Sequence, residues 1–186
     1  MRADARRNRD RVLEAARAVF AERGASASTE EIAAKAGVGI GTVFRHFPTK
    51  EVLLEAILLD RVAKISAEAR RLTTAPDPGA ALLALVKHMV EQGATKRMYI
   101  NALADAGLDS LGSRVGQSTV GREMVDELGA LLARAQVAGA IRHDIGVTEL
   151  IALVVGVSRA AEYTAWDGGV LARTLEVVID GLRARG

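Results

Sequence analysis

Two short helix patterns joined by a glycine turn constrain this chain more than any other sequence feature. Ser28 followed by Glu31 forms a capping box, which predicts that a helix begins directly after Ser28. That helix ends at Gly37, because glycine readily adopts the positive φ that a tight turn needs. A second short helix is predicted over 40–46, and Pro48 ends it because proline lacks the N–H required for continuation. The stretch is therefore predicted to form a helix-turn-helix.

The rest of the chain is also patterned for helices. Alanine, leucine and arginine are the three most frequent residues, and all three are good helix formers. The β-branched residues are scattered within helical periodicity and do not alternate as they would in strands. The pattern predicts an all-α protein of about nine helices, over 8–23, 29–36, 40–46, 50–72, 78–92, 96–106, 122–137, 148–164 and 169–183. The glycine-containing stretch 107–121 is expected to be a loop or a frayed helix.

Apolar spacing divides the first three helices into inner and outer faces. The first helix has one apolar face, made by Val12, Leu13, Ala16, Val19 and Phe20. Three residues of the next two helices are expected to pack against it: Ile32, Val43 and Phe47. Val38 should fill the turn, and the small Ala33 should let the helices cross closely. The residues left on or near the outer face are Ile40, Gly41, Thr42, Phe44, Arg45 and His46.

The charge is unevenly distributed along the chain. Residues 1–50 contain ten Lys or Arg and six Asp or Glu, a formal charge of +4, whereas residues 51–186 have fifteen and seventeen, a formal −2. A positive N-terminal region on a near-neutral body suits a polyanion such as DNA. Charge that merely keeps the surface solvated would give the same distribution.

Several classes of site are disfavoured by what the sequence lacks. It has no cysteine, which excludes disulfides and thiolate chemistry, and His88 and His143 show no metal-ligand spacing. The carboxylate pair Asp105 and Asp109 is more typical of a solvated helix face. No apolar run is long enough to span a membrane, and no signal-peptide core follows the basic N-terminus. We therefore expect a cytoplasmic protein that is not an enzyme and has no metal or cofactor.

Residues 8–59 resemble the DNA-binding region of the TetR (tetracycline-repressor) family. The resemblance rests on Val12 to Ala16 with Phe20 and Gly24, on Ile32-Ala33 with Ala36-Gly37-Val38, and on the string from Gly41 to Leu53. That string combines a short helix, a Phe-Pro-Thr-Lys-Glu break and the start of a long helix. These motifs cover under a third of the chain, but its length and number of helices also resemble the family.

The resemblance implies that the second short helix enters the DNA major groove. Thr42, Arg45 and His46 would then contact bases or phosphates, and Arg45 could bind guanine. Ser28 and Thr29 lie where helix N–H groups favour a phosphate, and Lys50 resembles the family's phosphate-binding lysine. The implied DNA-binding residues are Ser28, Thr29, Gly39, Ile40, Gly41, Thr42, Phe44, Arg45, His46 and Lys50.

Some of these residues have a purely structural alternative. Phe44 stands where the family often has a tyrosine, so a hydroxyl that could reach a phosphate is absent, and its ring could belong to the core. His46 could serve only local hydrogen bonding, and Ser28 is needed for capping with or without DNA. Gly39 and Gly41 would allow close approach of the backbone but offer no side chain to a base.

The resemblance also implies functions for the remainder of the chain. It implies a DNA-binding domain over 1–50 and a ligand-binding and dimerisation domain over 51–186, connected by the helix at 50–72. Apolar faces on the last two helices would form the dimer through Leu150, Val154, Val157, Ala161, Leu171, Leu175, Val178, Ile179 and Leu182. Plain internal packing of these faces is the alternative.

The resemblance also implies a small-molecule pocket, enclosed by the four helices over 50–137 that lie between the helix-turn-helix and the dimer-forming helices. Its candidate residues are Met89, Gln92, Met98, Tyr99, Asn101, Leu103, Met124, Leu128, Tyr163 and Trp166. Few of them are polar, which favours a mainly apolar inducer, although each could be ordinary core. The implied function is that of a dimeric repressor released from a palindromic operator by a small molecule. An activator, or a DNA-binding protein without a ligand, is the alternative.

Overall fold

The computed structural model describes residues 2–94, 109–164 and 166–184, and the predicted all-α class is confirmed. The helices are α1 (Arg2–Arg23), α2 (Thr29–Ala36), α3 (Ile40–His46), α4 (Lys50–Leu72), α5 (Pro78–Ala94), α6 (Asp109–Gln117), α7 (Thr119–Val137), α8 (Val147–Tyr163) and α9 (Gly168–Leu182). One turn of 3₁₀ helix, Gly24–Ser26, follows α1. Within the described ranges the only extended pairing is an antiparallel bridge between Ile141 and Arg183.

Side-chain caps begin α4 and α5, at the predicted starts of these helices. The Thr49 hydroxyl accepts a hydrogen bond from the Val52 N–H at 3.3 Å, and the Asp77 carboxylate accepts one from the Ala80 N–H at 2.8 Å. Each cap satisfies an N–H that has no partner inside its own helix. Pro78 takes the first position of α5, where its missing N–H costs nothing.

The helix boundaries differ from the prediction in two regions, at the N-terminus and before α7. α1 begins at Arg2 instead of residue 8, because this stretch contains no glycine or proline and Asp4 pairs with Arg7 at 2.5 Å. The expected loop or frayed helix contains the regular helix α6, and α7 already begins at Thr119. The helix predicted over 96–106 lies outside the described residues.

The described chain divides into two compact units. The first comprises the residues up to Arg61 together with 109–118. Its core has the fully buried Phe20 at its centre and collects the apolar faces of α1 to α3 with the first turns of α4. Val12, Ile32, Val43 and Phe47 are all buried in this cluster, as predicted, and Val38 packs against it.

The second unit comprises residues 62–94 and 119–184. Its core joins the last turns of α4 to α5, α7, α8 and α9, with Leu82, Leu128 and Leu150 fully buried. The Gln136 side chain braces the turn after α7 by donating to the carbonyls of Arg142 and Ile145, each at 2.9 Å. α4 is one continuous helix whose residues contribute to both cores.

Candidate nucleic-acid interface

The turn between α2 and α3 is held by backbone geometry. Gly37 has a φ of 63°, in the left-handed region that favours glycine. Its N–H donates to the Ala34 carbonyl, and the Val38 N–H donates to the Ala33 carbonyl, both at 3.1 Å. These bonds satisfy the last carbonyls of α2 and fix the direction in which α3 leaves the turn.

The N-terminus of α2 is closed by its own side chains. The Ser28 hydroxyl accepts from the Glu31 N–H, and the Glu31 carboxylate accepts from the Ser28 N–H, both at 3.1 Å. This is the predicted capping box. The pKa of Glu30 is lowered, first by its own backbone N–H and then by Ser28 and Thr29, so a carboxylate already occupies the positive end of this helix. Ser28 and Thr29, both half-buried, thus serve α2 first.

The seven residues of α3 are divided between core and solvent. Val43 and Phe47 point inward and are 0% and 2% exposed, whereas Arg45 is exposed. Thr42 and His46 are half-buried. Gly39 and Gly41 are exposed, and nothing lies within 4 Å of where a Cβ would stand on either of them. The centre of the outer surface of α3 is thus Arg45 beside bare backbone, which another molecule can approach closely.

Four basic residues near the N-terminus are paired with acidic neighbours. The pairs are Arg7–Asp4 at 2.5 Å, Arg17 with Glu14 at 2.6 Å and with Asp60, Arg23–Glu31 at 3.5 Å, and Lys35–Glu22 at 2.6 Å. Arg45 differs, since no acidic side chain or carbonyl of the described residues holds its guanidinium. An exposed arginine without an intramolecular partner is available to bind an anion or a base edge.

Lys50 has a structural role that the sequence did not reveal. Its ammonium donates to the Ala27 carbonyl at 3.2 Å and lies 5.4 Å from the centre of the Phe20 ring. The half-buried side chain therefore ties the first turn of α4 to the segment before α2. Any phosphate contact by Lys50 would have to share this ammonium.

Two arginines of α1 adjoin α3 and were not among the predicted site residues. The Arg9 guanidinium lies 5.5 Å from the centre of the Phe47 ring, just beyond the end of α3. Arg11 donates to the Gly37 carbonyl at 3.4 Å, just before the start of α3. The two cations thus stand near opposite ends of that helix. The cluster of arginines at the start of the sequence was the only available signal for them.

The described pocket candidates belong to the second unit. Leu128 is fully buried and Met89 is 6% exposed, both in its core, while Met124 and Trp166 are half-buried. Gln92 is exposed on α5. Met98, Tyr99, Asn101 and Leu103, and the Tyr163 side chain, lie outside what the structure describes.

The predicted dimer residues fall into two groups. Five of them are buried within their own chain, which leaves little of their surface for a partner: Leu150, Val154, Ala161, Leu175 and Leu182. The other four are half-buried: Val157, Leu171, Val178 and Ile179. Among the side chains of these two helices that the structure describes, the large apolar ones that are exposed are Leu153, Val155 and Val177, at 39%, 49% and 73%.

The part of the chain that the structure describes has neither a metal-binding cluster nor a helix suited to a membrane. Nowhere in residues 2–94, 109–164 and 166–184 do three His, Cys, Asp or Glu side chains gather as a metal ion would require. None of the helices described combines the length and apolarity needed to cross a membrane.

Comparison with known proteins accounts for both parts of the chain. Residues 12–57 match the tetR family of bacterial regulatory proteins, and residues 77–184 match the C-terminal domain of SbtR-like transcriptional regulators. The crystal structure of a TetR transcription regulatory protein from Mycobacterium vanbaalenii is 41% identical in sequence. It superposes with a TM-score of 0.76 over 98% of this chain and 99% of that protein.

Two curated relatives match the N-terminal region. The HTH-type transcriptional regulator UidR of Escherichia coli is 42% identical over 60 residues, which are 32% of this chain and 31% of UidR. The HTH-type transcriptional repressor Rv3405c of Mycobacterium tuberculosis is 52% identical over 48 residues, 25% of this chain and 26% of that protein. This chain thus matches less than a third of the length of either relative. Because the two family matches and the whole-chain structural match agree, the chain belongs to the TetR family of transcriptional regulators and has that family's DNA-binding domain.

Proposed function

We propose that the protein is a dimeric repressor that binds a palindromic operator and is released from it by a small molecule. The observation that carries this proposal is Arg45, exposed and without a described partner at the centre of the outer face of α3. Arg9 and Arg11 add positive charge near both ends of the helix. A cationic surface around a helix of this kind fits the major groove and its flanking phosphates.

We assign the contacts according to position. Arg45 donates to a base edge, while Thr42 and His46 contact bases or phosphates at the opposite flank from Phe44. Ser28, Thr29 and Lys50 remain predicted phosphate contacts, joined by Arg9 and Arg11. Gly39 and Gly41 contribute close approach of the backbone. The family match over 12–57 supports 1–50 as the DNA-binding domain, with 51–186 binding ligand and partner.

Repression is favoured over activation by the relative from Mycobacterium tuberculosis, which is itself named a repressor. The alternative is an activator, or a DNA-binding protein that needs no ligand. A reporter gene placed downstream of the operator distinguishes a repressor from an activator, because deletion of a repressor raises expression of the reporter and deletion of an activator lowers it.

The proposed function involves no chemical step and is carried out in the cytoplasm.

The second unit provides the proposed ligand site, with Met89, Leu128, Met124 and Trp166 as described candidates. We propose that a mainly apolar ligand changes the spacing of the two helix-turn-helix regions of the dimer through α4, the helix that both units share. A coupling free energy of about 1–3 kcal/mol would change operator affinity roughly 5- to 150-fold.

The dimer is proposed to form through the outward faces of α8 and α9. Leu153 and the half-buried Val157, one turn apart on α8, would lie on this interface, and α9 would contribute Val177, Leu171, Val178 and Ile179. Two reading helices about 34 Å apart would then meet successive turns of one side of the duplex. That geometry requires a palindromic operator.

The test is selection of genomic fragments by three purified proteins at about 0.15 M salt. The wild type is compared with Arg45→Ala and with Arg134→Ala, a matched loss of one exposed arginine in the second unit. We expect the wild type and Arg134→Ala to enrich the same palindromic site. Arg45→Ala should weaken binding roughly 5- to 150-fold for each half-site, as expected when one bidentate base contact of about 1–3 kcal/mol is lost, and the dimer loses this factor twice. Enrichment of no sequence by the wild type would refute the proposed function.

A further inference from the structure

α3 exposes two large apolar side chains that its own fold leaves uncovered. Ile40 is 39% exposed and Phe44 is 46% exposed. Among the described residues only five other large hydrophobic side chains are exposed to this extent, and none of those belongs to a helix as short as α3. Exposed apolar area of this kind is unfavourable in water and gains free energy when a partner covers it.

The two side chains form a strip along one flank of α3. Successive residues of a helix are about 100° apart, which places Ile40 and Phe44 roughly 40° from each other and Arg45 about 100° beyond Phe44. Val43 and Phe47 occupy the inward direction and complete the core. The outer surface of α3 therefore presents an apolar strip beside a cation.

The charges around this strip restrict what can cover it. Arg45 adjoins it on α3, and Arg9 and Arg11 stand near the two ends of the helix. An apolar protein surface would leave these cations unpaired, whereas a DNA duplex pairs them with phosphates and base edges. The exposed apolar group that a base pair offers in the major groove is the C5-methyl group of thymine.

We propose that Ile40 and Phe44 read thymine methyl groups, so that each operator half-site contains thymine where this strip meets the groove. The inference rests on the DNA-binding function proposed above and names how one flank of α3 selects its sequence. Phe44 suits this role because its ring has no hydroxyl to satisfy. Ile40 suits it because a β-branched side chain in a helix has one strongly preferred rotamer, so little freedom is lost on contact.

The test removes the methyl groups from the DNA and leaves the protein unchanged. A random-sequence duplex library is selected with the full-length wild type, and the most enriched duplex is synthesised with thymine and with deoxyuridine at every thymine position. Deoxyuridine keeps the base pair and lacks only the methyl group. We expect affinity to fall roughly fourfold for each contacted methyl, the equivalent of about 0.8 kcal/mol per buried CH₂. Loss of one methyl in each of two half-sites should then give roughly a fifteenfold decrease.

Variants of the protein identify which side chains contact the methyl groups. Ile40→Ala and Phe44→Ala should bind the thymine duplex more weakly and discriminate less between the two duplexes. Arg45→Ala, the matched control on the same helix, should weaken binding to both duplexes and keep their ratio. Replacing single thymines by deoxyuridine then locates the base that each side chain contacts.

Three results would overturn the inference. Equal wild-type affinity for the two duplexes would show that no methyl group is read, while leaving the DNA-binding function intact. Unchanged discrimination in both Ile40→Ala and Phe44→Ala would show that other residues read the methyl groups. Failure of the wild type to enrich any duplex would refute the proposed function together with this inference.

Discussion

Replacing Gly37 and Gly41 by alanine, one at a time, should change the free energy of unfolding in opposite directions. Gly37 has a φ of +63°, and a Cβ built there would lie 2.7 Å from the Arg11 guanidinium. That guanidinium also donates to the Gly37 carbonyl, so Arg11 would have to move and lose its contact. Gly41 lies inside α3, and nothing lies within 4 Å of its added Cβ.

The expected magnitudes follow from backbone conformation. Alanine in the left-handed region costs about 1–2 kcal/mol, and the displaced end of Arg11 adds little because it is a flexible, exposed side chain. Alanine in place of a helical glycine gains about 0.5–1 kcal/mol. The two variants should therefore differ by about 1.5–3 kcal/mol. For a chain of 150–250 residues each kcal/mol shifts Tm by about 2–4 °C.

Urea unfolding followed by far-ultraviolet circular dichroism measures both variants against the wild type. The midpoint should fall for Gly37→Ala and rise for Gly41→Ala, with an unchanged dependence on urea. Gly37→Asn is the matched control, because asparagine tolerates the left-handed region better than alanine and should lose less stability. If Gly37→Ala is as stable as the wild type, or Gly37→Asn is no more stable than Gly37→Ala, the positive φ does not explain why this position is a glycine.

Two further predictions concern the subunit interface and the response to acid. Val177→Asp should shift the protein from dimer to monomer in sedimentation experiments, because it places a carboxylate on the exposed face of α9. Val137→Asp, at the end of α7 and 87% exposed, should leave the dimer intact, and dissociation by both or neither would contradict the proposed interface. The pKa of Glu22 is lowered because Lys35 donates a hydrogen bond to its carboxylate, so the stability this carboxylate contributes is present above the ordinary glutamate pKa and is lost as the pH falls through the lowered value. Glu22→Gln should therefore lower the urea midpoint at neutral pH by more than it does near pH ~3, and an equal difference at both pH values would exclude this contribution.

The helix-turn-helix could be predicted closely because its local signals are strong and independent of the rest of the fold. The capping box at Ser28 and the left-handed Gly37 define both ends of α2 by local chemistry alone. The apolar residues Val43 and Phe47 specify which side of α3 faces inward. Each of these features depends on neighbours within a few residues, so a linear sequence is enough to detect it.

Features that depend on distant residues were predicted less well. Two glycines inside α6 suggested a loop, since each costs about 1 kcal/mol in a helix. In the folded chain, burial of Val115 and a 3.0 Å ion pair between Arg114 and Glu55 oppose that cost. Neither contact is visible in the local pattern, because the partner residues lie far away in the sequence.

The faces of α8 and α9 illustrate a related limit. Periodicity identifies an apolar stripe, but it does not distinguish a stripe that faces the chain's own core from one that faces a partner. Leu150 and Leu175 belong to the first kind, and Val177 lies on the outer side. Similarly, Arg9 and Arg11 contributed only to the positive charge counted over residues 1–50, and their closeness to α3 depends on how the helices pack.

The division of α3 between core and solvent has an evolutionary consequence. Val43 and Phe47 secure the helix to the core, whereas Ile40, Gly41 and Arg45 face outward. Surface substitutions usually alter stability by less than about 0.5 kcal/mol, so the outward positions can vary while the DNA-binding domain still folds. A duplicated copy of the gene could thus acquire a new operator preference through a few changes in α3, without first compensating for a loss of stability.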